Sequence, residues 1–293
     1  MKKRILCFAL CLGMILACVA CAKKSPVPSI EKDPVPSVAE IPARPVIRLS
    51  TTTSVNDSGL LPYLQPYFEE ATGYKLEITS AGSGAAIKKG ETGDADCLLV
   101  HSKAAEEEFV DAGFGVERIP VMYNYFVIAG PADDPAGVAQ CGTAVEAFEA
   151  IAASGCAFIS RGDDSGTHKA ELKIWEKAGF TPDPAEEPWY VSAGDGMGAC
   201  ITMAAEKQAY VLTDKATFLA HEQGSRLKLL LERSDEMKNT YSLIAVSPDK
   251  WPDTNIAGAD AFIGWMKGGE AQALIARYGD AEYGEPLFYL LEG

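Results

Sequence analysis

The residues best suited to chemistry lie in the segment 160–168, which reads Ser-Arg-Gly-Asp-Asp-Ser-Gly-Thr-His. A short apolar run precedes it, and Leu172 and Trp175 follow at helical spacing within 169–177, so the motif is predicted to lie in a strand-to-helix turn. The first N–H groups of a helix have no partner within the helix, and the helix dipole is positive there, which favours an anion. Arg161 adds a charge that does not titrate and a planar fork of donors. The segment therefore predicts one half of an anion-binding site or, more simply, a well-capped helix.

Three further predicted turns combine hydroxyl groups or glycines with a preceding strand. The run 51–54 reads Thr-Thr-Thr-Ser and follows an apolar strand that begins at Val46. Helix capping needs only one or two such hydroxyl residues. The Gly-Ser-Gly run at 82–84 and the glycine-rich run 194–198 have equivalent positions, and glycine lets a backbone approach a ligand closely. If two lobes face each other with two turns from each, these neutral donors could enclose one small anion.

Strands and helices alternate from Val46 onward, which predicts an α/β fold of two lobes, each a mainly parallel sheet flanked by helices. In such sheets ligands bind beyond the carboxyl ends of the strands, where all four turns fall, so the ligand is expected in the cleft between the lobes. The apolar run 119–129 is long enough to pass from one lobe to the other, and the predicted strand 242–246 could return. The predicted division is lobe I, 46–124 plus 243–293, and lobe II, 125–242.

The N-terminal region predicts export and a lipid anchor. Met-Lys-Lys-Arg at 1–4 begins a predicted signal peptide over 1–20, whose apolar run is too short to span a bilayer comfortably. The residues before Cys18 resemble a bacterial lipobox, in which the cysteine is lipidated. The protein is therefore expected to be anchored on the outer side of the cytoplasmic membrane, or to be periplasmic. Cys21 is the second candidate, and an ordinary signal peptide that contains cysteines is the alternative. The segment 22–45 holds six prolines, which predicts an extended tether.

Composition narrows the possible ligands. The formal charge is −15 and no basic stripe offsets it, which argues against a nucleic-acid partner. A small anion must therefore be captured by local donors rather than by the overall field. The cysteines and histidines after the tether are too widely spaced for a metal site, so neither a metal nor a cofactor is expected. Cys141 and Cys156 bracket a helix-length segment, and a disulfide between them is left open.

Two enzyme interpretations compete with a binding role. Gly-Asp-Asp-Ser-Gly at 162–166 echoes the nucleophile turn of serine proteases, but His168 is too close in sequence to Ser165 and the other histidines lie in unrelated segments. The run 194–199, Gly-Asp-Gly-Met-Gly-Ala, matches a dinucleotide fingerprint, with Asp214 about 20 residues further on. The preceding strand is short, however, and an exported protein rarely meets NAD. A nucleotide-cofactor enzyme is thus the alternative from another class.

The turns at 51–54, 82–84 and 160–168 and Leu-Thr-Asp at 212–214, in this order, resemble the tungstate-binding proteins of bacterial tungstate ABC importers. The pattern Arg-x-Asp-x-Ser-Gly-Thr is more distantly similar to the phosphate-binding receptors. The resemblance implies a monomeric receptor of the periplasmic-binding-protein type, not an enzyme, which closes over an oxyanion and delivers it to a membrane permease. It implies the ligand-binding residues Thr52, Thr53, Ser54 and Ser83 from lobe I and Arg161, Ser165, Gly166 and Thr167 from lobe II, with Gly196 and Met197 as a second tier.

One departure from the phosphate receptors bears on selectivity. Those receptors have a carboxylate after the third strand that accepts the proton of hydrogen phosphate, whereas this chain has Leu-Val-His-Ser at 99–102. A fully deprotonated anion is therefore expected, namely tungstate, molybdate or sulfate. Because the choice among them depends on cavity size, tungstate rests on the resemblance, and a molybdate, sulfate or phosphate receptor is the alternative within the class.

Overall fold

Ten strands form one sheet in the part of the chain that the structure, a computed structural model, describes: residues 42–221 and 226–291. The strands are β1 (Val46–Thr52), β2 (Lys75–Ala81), β3 (Cys97–Val100), β4 (Ile119–Pro131), β5 (Phe158–Ser160), β6 (Tyr190–Ser192), β7 (Tyr210–Asp214), β8 (Leu227–Leu231), β9 (Lys238–Ala245) and β10 (Tyr289–Leu290). The helices are α1 (Thr53–Asp57), α2 (Leu60–Thr72), α3 (Ser83–Glu91), α4 (Lys103–Asp111), α5 (Ala144–Ser154), α6 (Gly166–Lys177), α7 (Met197–Lys207), α8 (Lys215–His221), α9 (Ile256–Lys267), α10 (Gly269–Ala276) and α11 (Asp280–Tyr283).

The sheet is mixed rather than mainly parallel. β1 runs parallel to β2 and β3, and β5 runs parallel to β6 and β7, as predicted for an α/β fold. β4 and β9 are antiparallel to every strand that they pair with. Residues 119–125 of β4 pair with β9, and residues 126–131 pair with β7 and β8, so this one strand joins the two halves of the sheet.

Both faces of each half are covered, which explains the nearly continuous apolar strands. In β3, Cys97 and Leu99 pack against residues of α2 and α9, whereas Leu98 and Val100 pack on the other face against α3 and α4. In β7, Leu212 and Val211 likewise belong to different cores. Because successive strand side chains point to opposite faces, each strand can hold two layers of helices.

The helix periodicity of the sequence is a good guide to local structure. α2 begins at Leu60, as its apolar spacing predicts, and ends at Gly73, whose φ of 73° provides the left-handed cap that glycine adopts easily. β9 begins at Lys238, earlier than the predicted 242, because its first residues alternate between exposed and buried positions and lack an apolar run. The short elements α11 and β10 carry no periodic pattern and were not expected.

The predicted signal peptide, both candidate lipidation residues Cys18 and Cys21, and residues 22–41 of the tether lie outside the described residues. The end of the predicted tether is part of the folded domain, because the Arg44 guanidinium donates to the Asp253 carbonyl at 2.6 Å and Lys75 N donates to Pro45 O at 2.7 Å. No helix within the described ranges is long and apolar enough to cross a membrane.

The four cysteines of the described residues are all free thiols. Cys141 and Cys156 are both free, so they do not form the disulfide that their spacing allows. Cys141 Sγ instead lies 3.6 Å from the Gly137 carbonyl, to which it donates. The remaining two cysteines of this part, Cys97 and Cys200, are buried and also free.

Candidate oxyanion site

Each of the four turns precedes a helix, as predicted. The N-cap residues are Thr52 for α1, Gly82 for α3, Ser165 for α6 and Gly196 for α7. Among these caps only Ser165 uses its side chain, which accepts a hydrogen bond from His168 N at 3.2 Å. Capping therefore does not account for the hydroxyl groups of the Thr-Thr-Thr-Ser run or for the hydroxyl at Ser83.

Turns from the two halves of the sheet meet at the start of α6. A Cβ atom built on Gly166 would lie 2.7 Å from Ser83 Oγ and 2.6 Å from His101 Cε1. One built on Gly82 would lie 3.8 Å from both the Cα and the Cβ of Ser165. Glycine at 166 is therefore what lets the N-terminus of α6 approach Ser83 and His101 so closely.

Ser83 is the clearest sign of an unfilled hydrogen-bonding site. Its hydroxyl is buried and has no hydrogen-bond partner among the described residues. Leaving a polar group in this state costs about 1–3 kcal/mol. Because Ser83 faces the helix start at Gly166, where further N–H groups lack partners within the helix, a bound acceptor would satisfy both.

Arg161 is buried, with 4% of its surface exposed, and it pairs with Asp163. Its Nε and Nη2 both donate to Asp163 Oδ2, and Ser165 N donates to Asp163 Oδ1 at 3.2 Å. Burial alone would raise the pKa of Asp163, but the Ser165 hydrogen bonds and the Arg161 charge outweigh it and lower the pKa. Within the described residues, the side-chain hydrogen bonds of Arg161 run through Nε and Nη2 and do not use Nη1. The sequence interpretation missed that Asp163 already balances the charge of Arg161.

Five polar side chains form a closed ring of hydrogen bonds: Ser54, His101, Asn239, Asn124 and Tyr241. The Ser54 hydroxyl contacts His101 Nε2 at 3.2 Å and Tyr241 OH at 3.3 Å, and His101 Nδ1 contacts Asn239 Oδ1 at 2.8 Å. Asn239 Nδ2 donates to Asn124 Oδ1 at 2.8 Å, and Asn124 Nδ2 donates to Tyr241 OH at 3.5 Å, which closes the ring. Asn239 Oδ1 is an acceptor, so His101 Nδ1 must carry the proton. The neutral imidazole then accepts a hydrogen bond from the Ser54 hydroxyl at Nε2.

The charge state of His101 agrees with this arrangement. Burial lowers the pKa of His101 to about 4, the hydrogen bond with Asn239 opposes that shift, and the nearby charge of Arg161 adds to it. His101 is thus neutral near pH 7. Asn124 and Asn239 are register partners on β4 and β9, so these hydrogen bonds link Ser54 to β4, the strand that joins the two halves of the sheet.

The remaining predicted residues differ in how they are placed. Thr52 Oγ1 contacts Ser54 Oγ at 3.1 Å, Thr53 is half-buried at the first position of α1, and Thr167 is buried at the second position of α6. The second tier has less to offer a ligand. Gly196 N already donates to Asp195 Oδ1 at 2.6 Å, and the Met197 side chain packs into a core cluster, which leaves only its backbone.

The geometry disfavours both enzyme interpretations. The carboxylate of Asp214 is buried and accepts hydrogen bonds from Thr217 N at 2.9 Å and Thr217 Oγ1 at 2.7 Å, so it holds the start of α8 rather than facing a nucleotide. The His168 Nδ1 accepts from Asp164 N at 3.1 Å, and Ser165 Oγ accepts from the His168 backbone. His168 is therefore not arranged as a base for Ser165. Within the described ranges, no three His, Cys, Asp or Glu residues cluster as a metal site would require.

Comparison with known proteins gives a consistent family. The model of the PBP superfamily domain matches residues 39–270. The tungstate-binding protein TupA of Peptoclostridium acidaminophilum is 45% identical over 98% of this chain and 98% of its own length. TupA of Campylobacter jejuni is 38% identical over 81% of this chain and 88% of its own length. The solved structure of TupA from Desulfovibrio alaskensis G20 is 43% identical, superimposes with a TM-score of 0.74, and covers 85% of this chain and all of that protein.

Proposed function

Because the chain belongs to the TupA family of tungstate-binding proteins within the PBP superfamily, we propose that it captures tungstate outside the cytoplasm and delivers it to an ABC permease. The observation that carries the proposal is the buried, unpartnered hydroxyl of Ser83 against the N-terminus of α6. The relatives are named as binding proteins, which supports binding rather than catalysis.

The donors suit a fully deprotonated tetrahedral anion. A dianion stripped of water needs on the order of eight hydrogen bonds, which hydroxyl and backbone N–H groups can supply without adding net charge. Arg161 adds charge-assisted donors, while Asp163 limits the net attraction, so the anion can leave when the cleft opens. Hydrogen phosphate would need an acceptor for its proton. The nearby acceptors are already engaged, Asp163 by Arg161 and His101 Nε2 by Ser54.

Release would occur by movement of the lobes about β4, the strand that joins the two halves of the sheet, and its antiparallel partner β9. The proposed lobes are those of the sequence prediction, 46–124 plus 243–293 and 125–242. One core cluster lies wholly within 125–242 and another consists mainly of residues from 46–124 and 243–293, with Ala216 and Tyr241 the members from lobe II, which supports such a division. We further propose that a lipid at Cys18 or Cys21 anchors a monomer to the membrane through the proline-rich tether.

Isothermal titration calorimetry with tungstate, molybdate, sulfate and phosphate tests the proposal. The expected order has tungstate tightest and phosphate weakest. Arg161→Ala should weaken tungstate binding more than ten-fold, because a charge-assisted hydrogen bond contributes about 1.5–3 kcal/mol. Arg277→Ala, an exposed arginine at the end of α10, is the matched control and should bind as the unmodified protein does. Absence of heat with every oxyanion would contradict the receptor function, and an unchanged affinity of Arg161→Ala would show that the site lies elsewhere.

A further inference from the structure

A cavity of about 620 Å³ adjoins the candidate site. His101, Gly166 and Asn239 form part of its wall, and each of them also belongs to the contacts described above. Most of the remaining wall comes from α6, from the start of α4, and from β4 and β9 with the residues just before them. The cavity therefore leads directly to the place where Ser83 and the N-terminus of α6 meet.

The cavity is strongly basic, although the chain carries a net charge of −15. The basic side chains that line it are Lys103, Arg118, Lys169, Lys173, Lys177 and Lys238. Glu236 is the one acidic residue among the described residues that line it. The three lysines of α6 recur every four residues, so they share one face of that helix and form a row toward Gly166.

Most of these charges remain available to an incoming anion. Lys103 and Lys169 have distant, exposed partners, Glu107 at 3.6 Å and Asp164 at 3.5 Å, and such surface pairs contribute only about 0–1 kcal/mol. Lys173 has no ion-pair partner in the described ranges. Two of the basic side chains are engaged: Arg118 is held by the buried carboxylate of Glu106 at 2.7 Å, and Lys238 Nζ lies 4.1 Å from the centroid of the Tyr123 ring.

We propose that this lysine-lined cavity is an outer anion site that collects small inorganic oxyanions and passes them to the inner site. The proposal rests on the proposed function, since it assigns the path to the same ligand. An acidic surface repels an approaching dianion, but a cleft lined by charges of one sign focuses the field and can raise association rates by about 10–10³-fold. The inner site, with its Arg161–Asp163 pair, holds the anion chiefly through neutral donors. The lysines therefore determine how fast it arrives.

The test is the association rate of tungstate with the full-length protein, measured by stopped-flow fluorescence at low and high salt. The variant carries Lys169→Gln, Lys173→Gln and Lys177→Gln together. Its association rate should fall about ten-fold at low ionic strength, and by less than about two-fold in 0.5 M sodium chloride, where the Debye length is only a few ångström. The dissociation rate should change little.

The control removes three exposed lysines that do not line the cavity, by Lys207→Gln, Lys228→Gln and Lys267→Gln. It changes the net charge equally and should retain most of the original rate. If both triple variants slow association to the same extent, or if neither does, the inference is overturned. A cavity variant that binds tungstate at the normal rate but loses transport with the permease would mark the cavity as a surface for an acidic protein instead. If the unmodified protein binds no oxyanion in calorimetry, both the proposed function and this inference are wrong. If it binds normally and the cavity variant associates with tungstate at the normal rate, this inference alone is wrong.

Discussion

Gly166→Ala should block closure of the cleft while leaving both halves of the protein folded. The added methyl group would lie 2.7 Å from Ser83 Oγ and 2.6 Å from His101 Cε1, whereas ordinary contacts of a Cβ atom lie at 3.4–4 Å. The backbone of Gly166 has no positive φ, so alanine is otherwise acceptable there. Alanine also has the higher helix propensity, by up to about 1 kcal/mol.

The expected loss follows from the overlap. The methyl group approaches both atoms about 0.7 Å or more too closely, and overpacking of this kind costs about 1–3 kcal/mol. The cost applies only to the state in which Ser83 and His101 meet α6, because separating the lobes relieves it. Only a ligand that requires this state loses affinity, by about 5- to 150-fold.

Titration calorimetry with tungstate measures this loss, and urea unfolding without ligand verifies that the fold is intact. Gly269→Ala is the matched control, because Gly269 is also the first residue of a helix and an added Cβ would meet nothing within 4 Å. It should leave the affinity unchanged. If Gly166→Ala binds tungstate as tightly as Gly269→Ala does, then Ser83 and α6 do not close on the ligand together.

Two further predictions concern buried titrating groups. Glu171 is 1% exposed, and its pKa is raised to about 7 by burial, against the hydrogen bonds from Tyr190 OH and Trp175 Nε1 that lower it. In the unfolded state the pKa of this carboxyl is about 4.3, so between about pH 4.5 and 7 the folded protein keeps a proton that the unfolded chain has lost. The contribution of Glu171 to the free energy of unfolding therefore falls by up to a few kcal/mol as pH rises through this range. Glu171→Gln should remove that fall, and a pH-independent difference in urea unfolding between the two proteins would contradict this. The second prediction concerns His101, which should not titrate above about pH 5 in a proton NMR titration. Asn239→Asp should raise the pKa of His101 by about 1–3 units, because a carboxylate beside the imidazole favours the imidazolium. Titration near pH 6.5 in the unmodified protein would show that the ring does not enclose His101.

The parts of the fold that the sequence predicts are those determined locally. The apolar spacing after Leu60, the glycine at 73 and the hydroxyl run at 51–54 define a helix, its end and a turn within a few residues of each other. The long apolar run from Ile119 likewise predicts a strand that crosses between halves, because few other elements bury so many consecutive residues.

The parts that the sequence does not predict depend on contacts between distant segments. His101 and Asn239 are 138 positions apart, and nothing near either residue indicates that they form a hydrogen bond. The antiparallel placement of β9 between β3 and β4 is what brings them together, and sheet order is not visible in hydrophobic periodicity. The row of lysines on α6 is visible in the sequence as a helix face, but only the fold sets Lys238 on another wall of the same cavity.

The candidate ligand-binding residues are predictable in their local structure but not in their contacts with one another. The Arg161 motif and Ser83 are recognisable as strand-to-helix turns, yet their closeness across the cleft is a tertiary property. The pairing of Arg161 with Asp163 could have been anticipated from their separation of two residues. It changes the expected electrostatics of the site from a single cation to a nearly neutral pair surrounded by hydroxyl and N–H donors.

A crystal structure of the protein grown with tungstate, with the tungsten atom located by its anomalous scattering, tests the position of the anion most directly. We expect one dominant peak between Ser83, Arg161 and the N-terminus of α6, with oxygen atoms within hydrogen-bond distance of Ser83 Oγ and Arg161 Nη1. A dominant peak at any other place, or no ordered tungsten at all, would contradict this expectation.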